Sequence, residues 1–222
     1  MTVPVITIDG PSASGKGTVA ALVAAQLGFH YLDSGSLYRL VALLALRRGI
    51  ALDDEAALAE AARHLPAEFS DGTVWLEGED AGDAIRGEDV GMGASRVGAL
   101  PAVRAALLER QRAFRLAPGL VTDGRDMGSV VFPTATLKVF LTASADERAR
   151  RRYKQLIDKG ESANLQKIKQ DIVDRDARDA ARTVAPLRQE PDAKLLDTTE
   201  LTIDQAVDAV VRWFKERQVS GL

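Results

Sequence analysis

Val3-Pro4-Val5-Ile6-Thr7-Ile8 is a short apolar run that leads through Asp9 into Gly10-Pro11-Ser12-Ala13-Ser14-Gly15-Lys16-Gly17-Thr18. The run predicts a buried strand. The glycine-rich segment fits the pattern G-x-x-x-x-G-K, and Val19, Leu22, Val23 and Leu27 form one helical stripe that Gly28 ends. A strand, a glycine-rich turn and a helix in this order build an anion site. Glycines let the backbone turn until its N–H groups converge on phosphate oxygens, and the helix N-terminus adds its dipole. Lys16 supplies a mobile positive charge for the β- and γ-phosphates of a nucleoside triphosphate. Gly10, Pro11, Ser12, Ala13, Ser14, Gly15, Lys16, Gly17 and Thr18 are therefore the candidate ATP-binding residues. One departure matters for a metal: the residue after the lysine is Gly17, so the first hydroxyl is Thr18. Mg2+ accompanying ATP would be met by Thr18, through water, and by Asp123 at the end of a later strand. Asp9 is the alternative carboxylate, or a brace for the loop.

Outward from this segment the chain alternates strand and helix. His30–Leu32 reads as a second strand. Ser34 or Ser36 caps a helix through Leu37, Leu40, Val41, Leu44 and Leu46 to Gly49. Glu68–Ile85 then changes character: short alternating pieces with Asp71-Gly72 and Glu77-Gly78 as turn signals predict an antiparallel hairpin region. The parallel pattern resumes with a helix over Pro101–Leu116, a strand over Gly119–Thr122 ending at Asp123, and a strand over Leu137–Leu141. A very basic helix starts near Ser144. A second charged helix spans Asn164–Arg182, a last strand Lys194–Leu196, and an amphipathic helix Ile203–Arg217. The fold class expected is α/β: a P-loop-type parallel sheet with helices on both faces, a small antiparallel insertion and a short helical lid.

Composition narrows the function. The 222 residues, 46% of them hydrophobic and 27% charged, suffice for one such domain without staples. A formal charge of −3 argues against a non-specific nucleic-acid binder, which needs a basic face. With no cysteine there is no disulfide, thiolate zinc site or cysteine nucleophile, and His30 and His64 have no ligand-like spacing. No apolar run approaches a bilayer span, so no membrane partner and a cytoplasmic location are expected. The only asparagine, Asn164, precedes Leu165, and no aspartate has glycine three residues on; the guanine-reading and switch motifs of a GTPase are both missing.

Arginine is what the chain has instead. Arg148, Arg150, Arg151 and Arg152 lie on one helix and Arg175, Arg178 and Arg182 on the next; Arg175, Asp179 and Arg182 share a face. Phosphoryl transfer asks a protein to position groups and neutralise charge, which guanidinium groups beside a phosphate loop can do. The competing reading is solvated helices with ion pairs to Asp146, Glu147, Asp171 and Asp174.

Three further motifs bear on the acceptor. Tyr31–Arg39 (YLDSGSLYR), Asp123–Pro133 (DGRDMGSVVFP) and Arg175–Leu187 (RDARDAARTVAPL) strongly resemble the bacterial cytidylate kinase family, in order and nearly end to end. The resemblance implies transfer from ATP to CMP, with dCMP as a second acceptor. It implies that Ser34 and Arg39 bind the acceptor nucleotide, Arg39 on its phosphate, and that Arg125 is a phosphate or transition-state contact. Asp126, Ser95 and Arg104 become cytosine contacts, Arg175 and Asp179 sugar and phosphate contacts, and Arg182 a phosphate-bridging arginine. Lys16, Arg125, Arg175 and Arg182 form the implied catalytic set. The resemblance also implies one kinase domain with a core at 1–62, 99–155 and 184–222, an acceptor-binding insertion at about 63–98 and a lid at about 156–183. The insertion and lid are expected to move on binding, and the protein to be a monomer. A kinase for AMP, UMP or a non-nucleotide metabolite, and a non-catalytic ATP-binding module, are the alternatives.

Overall fold

The computed structural model describes residues 2–70 and 73–220. Its elements run β1 (Val5–Asp9), α1 (Lys16–Leu27), β2 (His30–Asp33), α2 (Ser34–Arg48), α3 (Glu55–Arg63), β3 (Ala67–Ser70), β4 (Thr73–Leu76), β5 (Glu79–Asp80), α4 (Glu88–Val97) and α5 (Pro101–Arg112). They continue with β6 (Leu120–Gly124), β7 (Leu137–Thr142), α6 (Ala145–Asp158), α7 (Leu165–Ala180), β8 (Lys194–Asp197) and α8 (Ile203–Ser220). The chain divides into two compact units: residues 1–32 with 114–222, and residues 33–113.

The first unit is built on a sheet of order β2-β6-β1-β7-β8, with parallel registers that include Ile8 opposite both Asp123 and Val139. The connection from β1 runs to β2 on one side of the sheet and that from β7 runs to β8 on the other, so the carboxyl ends of β1 and β7 flank the crevice where such sheets bind ligands. Alternation along β1 decides the layers. Ile6 and Ile8 face an apolar core with Val19, Val23, Val121, Val139 and Leu141, closed by Val207, Val210 and Phe214 of α8. Thr7 and Asp9 face the opposite way, toward a wide helical turn at Met127–Val131. The expected stripe on α1 is shifted: Val19, Ala20, Val23 and Ala24 are buried, whereas Leu22 is 43% exposed. Gly28 ends α1 in the left-handed region, φ 65°, as its lack of a Cβ permits.

The second unit packs α2 against α4 and α3 against α5, beside an antiparallel sheet β3-β4-β5. Glu77 and Gly78, φ 55° and 80°, make the two-residue turn between β4 and β5. The Asp71-Gly72 turn signal lies outside the described residues. The cap of α2 is neither serine: Asp33 accepts the Ser36 N–H at 3.2 Å, and Ser34 is the first helical residue. A carboxylate held at this terminus also meets the helix dipole. The helix expected to reach Leu116 stops at Arg112, four residues short of that position. Among the described residues no helix is long and apolar enough to cross a membrane.

Candidate functional site

The glycine-rich loop leaves β1 through a gap that no side chain could enter. A Cβ on Gly10 would sit 1.9 Å from the Leu141 carbonyl oxygen, so only glycine lets the chain pass under β7. Ala13 and Gly15 then take φ of 56° and 88°, reversing the backbone before α1. Gly15 caps α1 with no side-chain acceptor, which leaves the first-turn amides to an anion. Lys16 opens the helix, and its Nζ donates to the Pro11 carbonyl at 3.3 Å, folded back over the loop. The loop's carbonyls turn outward to arginines of α6: Arg148 donates to Ser12 O at 3.0 Å and Arg151 to Ser14 O at 3.2 Å.

Asp123 and Arg125 emerge at the carboxyl end of β6. Asp123 is buried and accepts the Tyr31 hydroxyl at 2.8 Å. Arg125 donates through Nε to Asp179 at 2.8 Å and through Nη2 to Ser12 Oγ at 3.1 Å. It therefore touches both α7 and the phosphate loop. Asp126 is 3% exposed. Asp9 braces the turn that follows: its carboxylate accepts the N–H groups of Met127 and Gly128, both at 2.8 Å. Burial pushes Asp9 up to about 6, with the nearby Asp126 charge adding to it, while the two N–H bonds and Lys16 oppose the rise.

Asp179 organises the arginines of α7. It is 1% exposed and pairs with Arg125 and with Arg182 one turn on. Burial pushes its carboxyl up, but Arg125, Arg182 and Arg175 together outweigh that and hold it below the ordinary carboxylate value. Arg175, Asp179 and Arg182 thus come together, although Arg182 lies just past the end of α7, and Arg125 joins them from the end of β6. The solvated reading holds for other arginines: Arg150 pairs with Glu147 at 2.7 Å, and Arg178 bonds back to the Asp174 carbonyl.

In the second unit, Ser34 is buried at the start of α2 and Arg39 lies one turn on. The Arg39 guanidinium donates to Ile85 O at 2.7 Å and fills the space beside Gly91 of α4. Arg104 on α5 is buried, donates to the Gly98 carbonyl at 2.9 Å and stacks over the Tyr38 ring at 5.5 Å. Ser95 is buried on α4. These four side chains thus come from three mutually supporting helices, α2, α4 and α5.

Among the described residues no group of three or more His, Cys, Asp or Glu could hold a metal. The donor set near the loop is nonetheless suited to Mg2+, which binds through one or two protein oxygens together with water and substrate phosphates. A Cβ on Gly17 would lie 3.8 Å from both Asp123 carboxylate oxygens, so the missing side chain at position 17 leaves room beside that carboxylate. Thr18 is exposed on the first turn of α1. Reading the sequence did not single out Tyr31 as the partner of Asp123, nor Asp176. Asp176 takes the Ser12 N–H at 3.2 Å and Arg148 at 2.5 Å.

Residues 6–216 match the family model described as cytidylate kinase. The chain is 80% identical over 221 residues to a cytidylate kinase of Chromobacterium violaceum, covering all of both chains. It is 56% identical to one of Nitrosomonas europaea, covering 96% of each, and 59% identical to one of Burkholderia pseudomallei, covering 96% of this chain and 93% of that one. Among solved structures, a gluconokinase of Sinorhizobium meliloti matches with a TM-score of 0.50 at 15% identity, covering 96% of this chain and 92% of that one. An uncharacterized protein of Eubacterium ventriosum matches with a TM-score of 0.51 at 11% identity, covering 96% of this chain and 98% of that one; both likenesses concern the fold alone. With its glycine-rich loop, its arginine-lined α7 and these full-length relatives, the chain belongs to the cytidylate kinase family.

Proposed function

We propose that this protein transfers the γ-phosphate of ATP to CMP, with dCMP as a second acceptor, giving ADP and CDP or dCDP. The observation that carries the reading is the meeting of Arg125 with Ser12 of the glycine-rich loop and with Asp179 of α7. It joins an arginine of the acceptor motif to the donor-phosphate loop. An oxygen of the CMP phosphate attacks the γ-phosphorus, the bond to the β–γ bridging oxygen breaks, and that oxygen leaves with ADP. The acceptor phosphate is the nucleophile, so no side chain becomes phosphorylated.

Each residue then has a physical task. Gly10–Thr18 bind ATP, with backbone amides and Lys16 on its phosphates. Lys16, Arg125, Arg175 and Arg182 offset charge that develops on the transferring group. Asp179 orients Arg125 and Arg182 and contacts the acceptor sugar. Arg39, a planar fork, holds the CMP phosphate. Asp126 accepts from the exocyclic amine of cytosine, Arg104 donates to the ring carbonyl and N3, and Ser34 and Ser95 complete the acceptor contacts. Uracil reverses the hydrogen-bonding pattern at C4 and N3, so these buried groups disfavour UMP. Asp123 and Thr18, through water, would hold Mg2+ beside the donor phosphates, where it would supply positive charge.

Residues at about 63–98 serve as an acceptor-binding insertion and those at about 156–183 as a lid, both excluding water from the γ-phosphate. A cytoplasmic monomer suits an enzyme whose substrates are small and soluble. Phosphorus NMR of the purified protein with Mg-ATP and CMP tests the proposal. Equal growth of ADP and CDP signals supports it; ADP and free phosphate without CDP would make the protein an ATPase and defeat the reading.

A further inference from the structure

Ser12 is gripped on every polar group it has. Asp176 Oδ1 accepts its N–H at 3.2 Å, Arg148 Nη1 donates to its carbonyl at 3.0 Å, and Arg125 Nη2 donates to its hydroxyl at 3.1 Å. The first two grips belong to one unit. Arg148 and Asp176 pair at 2.5 Å, and the Arg148 side chain is only 8% exposed, pinned further by its Nε donating to the Ala143 carbonyl at 2.9 Å. Arg148 stands on α6 and Asp176 on α7, so two consecutive helices, both far along the chain from the glycine-rich loop, converge on a single residue of it.

That convergence has a physical purpose. Every peptide of this loop except Gly10–Pro11 carries both an N–H and a C=O, and inward amides require outward carbonyls that still find donors. A carbonyl turned toward phosphate repels it. Arg148 meets the Ser12 carbonyl from outside, and Arg151, one turn along α6, meets that of Ser14. Asp176 fixes the orientation of Arg148 and, by taking the Ser12 amide, fixes the plane of the peptide before it.

We infer that the Arg148–Asp176 pair is a positioning device that holds the Ser12 segment of the loop in its ATP-receptive conformation, without itself touching phosphate. The inference rests on the proposed ATP-dependent transfer. It makes Asp176, a carboxylate beside a phosphate loop, a residue that helps ATP bind. Simple electrostatics gives the opposite sign, because an anion next to the donor site repels ATP. If Arg148 were a direct phosphate contact restrained by Asp176, removing the carboxylate would likewise free it and tighten ATP.

The test is steady-state kinetics of wild type, Asp176→Asn, Arg148→Lys and the double variant Arg148→Met/Asp176→Leu, with ATP and CMP varied separately. Asparagine keeps the shape of Asp176 but can accept only one of its two bonds. Lysine keeps the charge of Arg148 but cannot span its three acceptors. The double variant removes both charges, leaving none buried and unpaired, and so guards against a single variant that does not fold. KM for ATP should rise about tenfold or more in each folded variant, and KM for CMP should change by less than about threefold. A merely structural role lowers the active fraction, hence apparent kcat, and leaves KM alone. An unchanged or lower KM for ATP in Asp176→Asn, or a wild-type value in the double variant, overturns the inference. Wild type that makes no CDP refutes the proposed function instead, before any variant is compared.

Discussion

Asp9→Asn separates the burial of one carboxylate from everything else in the site. Asp9 is 7% exposed, sits at the end of β1 and braces the turn after Asp126 through two backbone N–H groups. Its carboxyl is raised from 3.8 to about 6, first by burial. Because the folded value is the higher one, protonation favours the folded state. The stabilising contribution is complete below about pH 3.8 and is lost as pH rises through about 6. The full effect is about 3 kcal/mol, of which roughly half appears between pH 8 and pH 5. Asparagine carries no such term. It leaves one backbone N–H without an acceptor, which costs about 1–3 kcal/mol. At pH 8 that cost is offset by removing a charge held in a buried site, so the two proteins should be close in stability. At pH 5 the variant should fall behind by about 1 kcal/mol more. Urea unfolding of both proteins at pH 5, 6, 7 and 8 measures the difference. Parallel stability profiles would refute the reasoning, because the Asp9 carboxylate would then be ionised across the whole range.

Three other outcomes follow from the same geometry. Lys16→Ala should lose at least about 100-fold in kcat, as expected when one donor to the transferring group is removed, with an unchanged far-ultraviolet circular dichroism spectrum; near-wild-type turnover would count heavily against the mechanism. Arg39→Lys, which keeps the charge but not the fork that reaches Ile85 O, should raise KM for CMP by about 10-fold or more and leave KM for ATP within about twofold. Hydrogen exchange should slow in β3–β5 and α7 when ATP analogue and CMP are bound together; equal protection with and without both nucleotides would remove the case for moving elements.

Local chemistry made most of the fold legible. The β1–loop–α1 unit announces itself because Gly10, Gly15 and Gly28 each occupy a conformation or a gap that glycine suits, and those positions bound the elements. The Glu77-Gly78 turn was readable for the same reason. Local chemistry falls short where several residues could do one job. Asp33, Ser34 and Ser36 are all good caps, and only the folded chain selects Asp33. It also falls short where burial comes from afar: Leu22 is apolar and in phase, yet stays 43% exposed. The site divides along the same line. Arg175, Asp179 and Arg182 share a face by spacing alone, so their cluster could be seen in advance. Arg148 and Asp176 could not be paired, since charges on polar helices ordinarily face water and no pattern links α6 to α7. The sequence admits Asp9 as a metal carboxylate or a brace; in the fold its carboxylate takes the N–H groups of Met127 and Gly128 and braces that turn.

The most direct test of the central claim is acceptor-dependent ADP release from Mg-ATP, with CMP, dCMP, UMP, AMP and shikimate offered one at a time. Fast turnover with CMP and dCMP and little with UMP, AMP or shikimate is the result predicted by the cytosine roles proposed for the buried Asp126 and Arg104. A preference for UMP or AMP would contradict the roles given to Ser95, Arg104 and Asp126. ATP bound but no acceptor raising ADP release would contradict the kinase reading itself.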